Sequence, residues 1–297
     1  MKTFLVLSAL ILACQAQSEA DCINKNASYV PSCLTQVTTQ LKAKSEAFLP
    51  TMTGSSAWTP SRRLDVKFTS SAISFQACCN SYSYKADSKE INPMDFSKGN
   101  SSLMPVNQRT APSVRVDAAA GFPANKTFML MMVDADVPTA SVGTADKPLV
   151  HWVVVNIKGM LSSGDEVLPY VAPAPTDKTP HNFYLMLYEQ INTTVNVTAL
   201  NMTKYAGNCS AELENRCLFE VKQFAADNNA ALQGVTWFQS LNDPYTNYRK
   251  IQLGESEATY CVGVTGYSDP CLTDGATVLT GSMVLSLVLV FIVGVFV

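Results

Sequence analysis

Histidine is scarce: the 297 residues hold two, His151 and His181. A histidine-rich metal centre is thereby excluded, and imidazole chemistry has only two addresses. Basic residues are not in excess either. Lys and Arg number 21 against 24 Asp and Glu, a net charge of −3. Nucleic acid demands a basic footprint, so no nucleic-acid partner is expected. No C-x-x-C, H-E-x-x-H, G-x-S-x-G or G-x-G-x-x-G occurs. Their absence argues against zinc ribbons, zincins, nucleophile elbows and dinucleotide sites. No fixed internal period is present, which argues against a repeat protein. The expectation is a non-enzymatic protein with no cofactor and no metal.

What is present lies first at the two ends. Lys2 followed by "FLVLSALILAC" reads as a secretory signal over 1–20, its apolar core too short to span a membrane. Residues 276–297 form an apolar tail with no basic residue after it. Asp274, Gly275 and Ala276 offer a small-residue attachment triplet before it. That layout predicts a GPI signal with Asp274 as attachment point, a single-pass anchor being the alternative. A secreted or cell-surface location follows, with the membrane as a partner through the C-terminal anchor.

Seven N-x-[ST] sequons begin at Asn26, Asn100, Asn125, Asn192, Asn196, Asn201 and Asn208. Four crowd into one short stretch, which predicts an exposed glycosylated insertion near 192–215. Eight cysteines remain once Cys14 leaves with the signal: Cys22, Cys33, Cys78, Cys79, Cys209, Cys217, Cys261 and Cys271. An even count in an exported chain predicts disulfides. The neighbours Cys78 and Cys79 are expected to serve two different partners, and Cys209 with Cys217 a small local loop.

Between the ends the texture is that of strands. A helical extension over 21–58 comes first, with Leu34, Val37, Leu41 and Phe48 at roughly helical spacing. "LDVKFTS" and "PSVRVDA" alternate; "KTFMLMMVDAD", "VHWVVVNIKG" and "HNFYLMLYEQI" are apolar on both faces, as for central strands. "LFEVKQFAADNNA" reads as a helix before "GVTWFQSLND" returns to strand. The strands lie too close together for regular βαβ alternation. The predicted fold is therefore mostly β with a few helices: a β-sandwich-like body of a large central sheet packed on a smaller one.

Each histidine opens an apolar strand, and Asp134 and Asp136 close another. Antiparallel neighbours put the start of one strand beside the end of the next, so the four side chains are expected at one rim. The two acids are expected beyond the strand, at its exit. An Asp beside a His orients the ring and favours its charged form, which then receives an anion. A simpler role for the acids is to cap the turn before Pro138.

"VDADVPTA", then "HWVVVNIKG", then "HNFYLMLYEQ" resembles, in order and spacing, the phosphatidylethanolamine-binding protein family. The resemblance runs from about Leu64 to Asp243 and makes 59–255 the family-like domain, followed by a cysteine-containing stalk over 256–275. It implies a pocket for an anionic phospholipid headgroup or a phosphate. That pocket maps onto Asp134, Asp136, His151, Ala172, Ala174, Pro175, His181 and Phe183, the loop 170–175 forming one wall. Tyr245 or Tyr248 would supply a lid. Ala172 and Ala174 stand where the family has glycine, Ala135 where it has proline, Asn182 where it has arginine and Phe183 where it has tyrosine. An extracellular protein partner is the alternative function, as regulator or inhibitor of a serine protease.

Overall fold

The structure is a computed structural model; it describes residues 52, 60–91, 102–117, 122–137, 142–177, 179–208, 210, 213–268 and 271. The expected signal peptide, nearly all of the expected helical extension, Asp274 and the apolar tail lie outside the described residues, as do Cys22, Cys33, Cys209, Asn26 and Asn100. Among the described residues no helix is long and apolar enough to cross a membrane.

Eleven strands are described: β1 (Leu64–Ser70), β2 (Ile73–Ala77), β3 (Asn80–Tyr84), β4 (Asp87–Ile91), β5 (Ser102–Leu103), β6 (Ser113–Val116), β7 (Thr127–Asp134), β8 (Leu149–Ile157), β9 (Asp165–Leu168), β10 (His181–Gln190) and β11 (Ala230–Ser240). Three α-helices accompany them: α1 (Val221–Asp227), α2 (Pro244–Gln252) and α3 (Glu257–Cys261). The chain divides into two compact units.

The larger unit holds Met1–Ile73 and Ser83–Thr246. Its main sheet has six strands in the order β5-β11-β10-β7-β8-β9, and a smaller one runs β4-β1-β6. Every pairing in them is antiparallel except β5 with β11. The centre of the large sheet is buried on both faces, as its apolar runs demand. Alternation then sorts its side chains into two cores. Met129, Met131 and Val133 join Tyr184 and Met186 against Val221 and Phe224 of α1. Phe128, Leu130 and Met132 join Phe183 and Leu185 against Leu64, Val66 and Phe68 of the small sheet. Each such fully buried side chain contributes roughly 1.5–3 kcal/mol relative to exposure.

The sandwich-like expectation is met, with the smaller sheet and α1 on opposite faces of the larger. Two helices beyond α1 were not legible in the sequence, nor was the hairpin β2-β3. The smaller unit, Ser74–Tyr82 with Asn247–Val297, takes in most of that hairpin. Inside it two disulfides join Cys78 to Cys261 and Cys79 to Cys271. The adjacent cysteines thus serve separate partners. Residues 256–268 therefore fold within this unit, α3 among them. Cys217 is also disulfide-bonded; its expected partner Cys209 lies outside the described residues. The five described sequon asparagines, Asn125, Asn192, Asn196, Asn201 and Asn208, are all exposed.

Candidate functional site

The rim is built by the register of three strands. In β7 and β10, Asp134 pairs with Phe183, so the end of one strand meets the start of the other. By alternation Asp134, His181 and Phe183 share the face of the smaller sheet, where Phe183 and Met132 are core. Asp134 is the last residue of β7, not a loop residue beyond it. The expectation that both acids lie past the strand is corrected to Asp136 alone. The strand reaches further because Asp134 still has partners on both sides, Leu149 and Phe183.

His151 reaches the same place by a different device. The register of β7 with β8 shifts between Met132–Trp152 and Val133–Val150. One residue of β8 is left over, and it is His151. Simple alternation would place it with Val153 and Val155 in the α1-side core. The bulge turns it toward the other face, where its ring meets Phe183 edge-on at 5.1 Å between centroids. His181 stacks on the same Phe183 at 6.4 Å. Both histidines therefore converge on one aromatic ring, with Phe238 stacked behind it at 5.3 Å.

His181 is held by two carboxylates. Its Nδ1–H donates to Asp134 Oδ2 at 2.7 Å and its Nε2–H to Asp177 Oδ1 at 2.9 Å. A ring that donates from both nitrogens is an imidazolium. Burial opposes that charge, but the hydrogen bonds and charges of Asp134 and Asp177 outweigh it and hold the pKa above the ordinary histidine value. Asp134 Oδ1 meanwhile accepts the Asp136 N–H at 2.9 Å. The turn-capping role and the histidine-orienting role are thus served by two oxygens of one carboxylate. Asp136 is exposed and accepts from the Asn182 backbone and side-chain amides at 2.7 and 2.5 Å.

His151 is the opposite case. Its Nδ1 stands 2.8 Å from the Val171 carbonyl. Burial pushes its pKa down; Asp134 and the Val171 carbonyl act against that shift, Arg216 and His181 with it. The ring is therefore neutral where its neighbour is charged.

The loop 170–175 lies beside His151, the Val171 N–H donating to its carbonyl at 2.8 Å; Ala172 and Pro175 are buried, Ala174 partly so. The Pro175 carbonyl accepts from Asn242 at 3.0 Å, and Tyr170 packs edge-on to Trp152. Of the expected lid residues, Tyr245 lies under the Arg109 guanidinium, 5.6 Å from its centroid. Tyr248 belongs to the smaller unit, where its ring packs tilted against Phe75, 4.8 Å between centroids.

Two residues of the rim escaped the sequence reading. Asp177 lies four residues before His181 in "TDKTPH"; an acid in the short linker leading to a histidine strand was the available signal. Arg216 is buried, and its guanidinium donates to the carbonyls of Val150, His151 and Pro169 at 3.4, 3.1 and 2.8 Å. It fastens the start of β8 to the foot of the 170–175 wall. Nothing in "ELENRC" marks it out.

At the opposite end of the same strands a cleft of about 380 Å³ runs past Lys126, Lys158, Gln190 and Asn192. The Lys126–Glu189 ion pair, 2.8 Å long, lies on its wall.

The family model for phosphatidylethanolamine-binding proteins matches residues 85–238. Among solved structures, the chain is similar to a carboxypeptidase Y inhibitor complexed with its cognate proteinase, at 16% identity over 71% of this chain and 97% of that one, TM-score 0.46. It is similar to a phosphatidylethanolamine-binding protein from Plasmodium vivax at 19% identity over 69% of this chain and 97% of that one, TM-score 0.44. No curated protein matches significantly. The matched span takes in β7, β8 and β10 with Asp134, Asp136, His151 and His181, and the chain belongs to the phosphatidylethanolamine-binding protein family.

Proposed function

We propose that the chain is a non-enzymatic binding protein of the extracellular space or cell surface whose rim site receives a phosphate or phospholipid headgroup. One observation carries the reading: the Nε2–H of a buried imidazolium, His181, already holds an anionic oxygen. That oxygen comes from Asp177, on the linker before β10, whose side chain keeps 27% of its surface exposed. A ligand phosphate takes the place of the Asp177 carboxylate on the same N–H, while Asp134 goes on orienting the ring from behind. The phosphate offers more acceptor oxygens than a carboxylate, and a hydrogen bond to a charged group is worth about 1.5–3 kcal/mol.

The signal peptide, the crowded sequons and the apolar tail support the location. The absence of any readable nucleophile or metal motif supports a binding role over a catalytic one.

The test is a titration of the glycosylated chain with phosphorylethanolamine, followed by the ring resonances of His151 and His181. Both are expected to shift saturably. In Asp177→Asn, which removes the competing charge but keeps the size, the affinity is expected to rise about fivefold, close to one net hydrogen bond of about 1 kcal/mol. Histidine resonances that stay still up to millimolar ligand in both proteins overturn the reading.

A further inference from the structure

His151 says more about the ligand than His181 does, and what it says rests on the headgroup reading above. A carbonyl only accepts, so the contact with Val171 places the proton of the neutral ring on Nδ1. Nε2 is then a bare acceptor. That atom is buried and has no hydrogen-bond partner among the described residues. Leaving such an atom unsatisfied is costly, so a ligand that supplies a donor there recovers that cost. A ligand that brings another lone pair adds repulsion.

The surrounding charge points the same way. Asp134 on β7 and Asp177 before β10 bond His181 at the rim, and Asp136 bonds the neighbouring Asn182. Arg216 is the second cation, bound to strand carbonyls behind His151, with Glu166 on β9 as a nearby opposing charge. Four carboxylates against two cations leave no surplus of positive charge to hold a dianion.

We propose that the ligand atom received at His151 Nε2 is a hydrogen-bond donor, so that the site selects a phosphate monoester in its singly protonated form. One phosphate oxygen accepts from His181 Nε2–H, and the P–OH of the same group donates to His151 Nε2. A phosphodiester has no such hydrogen, and the monoester dianion has lost it. A soluble monoester and the headgroup of a lipid such as phosphatidic acid present the same chemistry at the rim.

The experiment uses the full glycosylated chain and two small probes, methyl phosphate and dimethyl phosphate, titrated at pH 6, 7 and 8. Methyl phosphate is expected to bind at pH 6 and to lose up to about tenfold in affinity per pH unit above its second ionisation near 6. Dimethyl phosphate, a monoanion without a donor, is expected to bind at least about tenfold more weakly at pH 6, the scale of one hydrogen bond to a buried group. In His151→Gln the side-chain amide can turn its NH2 toward the phosphate, and the pH dependence of methyl phosphate binding is expected to flatten to whatever His181 alone contributes.

Equal binding of the two phosphates, or an unchanged slope in His151→Gln, overturns the proposal and leaves the headgroup reading standing. Histidine resonances unmoved by either phosphate overturn the headgroup reading itself. A short-chain phosphatidic acid in the same titration separates the sources: tighter binding than methyl phosphate assigns the lipid, equal binding a soluble monoester, and both support the donor requirement.

Discussion

Two histidines flank one phenylalanine, yet at neutral pH they carry different charges, and the stability of the chain should record that difference. His181 has its pKa raised above the ordinary histidine value of 6.5 by Asp134 and Asp177, which overcome the cost of burial. Between 6.5 and that raised value the folded chain holds a proton the unfolded chain has released, so stability falls as pH rises through this window. His151 has its pKa lowered below 6.5, burial being the largest cause. Between the lowered value and 6.5 the unfolded chain holds the extra proton, so stability falls as pH drops through that window. Urea unfolding is therefore expected to show a maximum near pH 6.5, each limb no steeper than about 1.4 kcal/mol per pH unit. His181→Gln should remove the alkaline limb and His151→Gln the acid one. A His181→Gln profile that keeps its alkaline limb would show that the double carboxylate clamp does not hold the imidazolium.

At the scale of elements, β8 departs from regularity twice in its pairing with β7. The first departure turns His151 to the rim. The second falls between the pairs Leu130–Val154 and Phe128–Ile157, next to Asn156, which has φ of 59°. Asparagine tolerates that left-handed backbone better than most residues. Its side chain also ties the sequon-bearing loop to the sheet: Nδ2 donates to Asp165 and the Val195 carbonyl at 2.7 and 2.9 Å, and Oδ1 accepts from the Val195 and Gln190 nitrogens at 2.8 and 3.1 Å. Asn156→Ala loses these bonds and adds backbone strain, for an expected loss of about 3–4 kcal/mol. Asn156→Gly loses the bonds without the strain and should be milder by about 1 kcal/mol. Equal losses in urea unfolding would mean that the left-handed backbone plays no part. These irregularities also mark the limit of sequence reading. Strands β7, β8, β10 and β11 and helix α1 were legible because long apolar runs and helical spacing announce them. The convergence of Asp134 with His181 followed from antiparallel ends. The place of His151 did not, since a bulge leaves no mark in the residue pattern and flips which face a side chain takes. Asp177 and Arg216 were hidden for a related reason: each joins the rim through loop geometry rather than through strand register. Helix α2 begins after Asp243, whose carboxylate caps it through Thr246 and also accepts the Val106 N–H at 2.9 Å. That capping signal, Asp-Pro-x-Thr, was present in the sequence but lay in a stretch with little apolar periodicity.

For the molecule as a whole, the two bridges of the smaller unit close nearly the same loop, and this sets how they contribute to stability. Cys78–Cys261 spans 183 residues and Cys79–Cys271 spans 192. In the chain-entropy account a loop of that length is worth about 5 kcal/mol. Once either bridge exists, however, the other closes only the short stretch from Cys261 to Cys271, because Cys78 and Cys79 are adjacent. A loop of about ten residues is worth roughly 3 kcal/mol. Replacing either pair by serine is therefore expected to cost about 3 kcal/mol, and replacing both about 8 kcal/mol, more than the sum of the single losses. The physical reason is that the first bridge removes most of the freedom of the unfolded chain and the second trims what remains. Urea unfolding of the two single-bridge proteins and the bridge-free protein measures the difference directly. Strictly additive losses would mean that the bridges act through local native contacts around Cys78 and Cys79 rather than by shortening the unfolded ensemble.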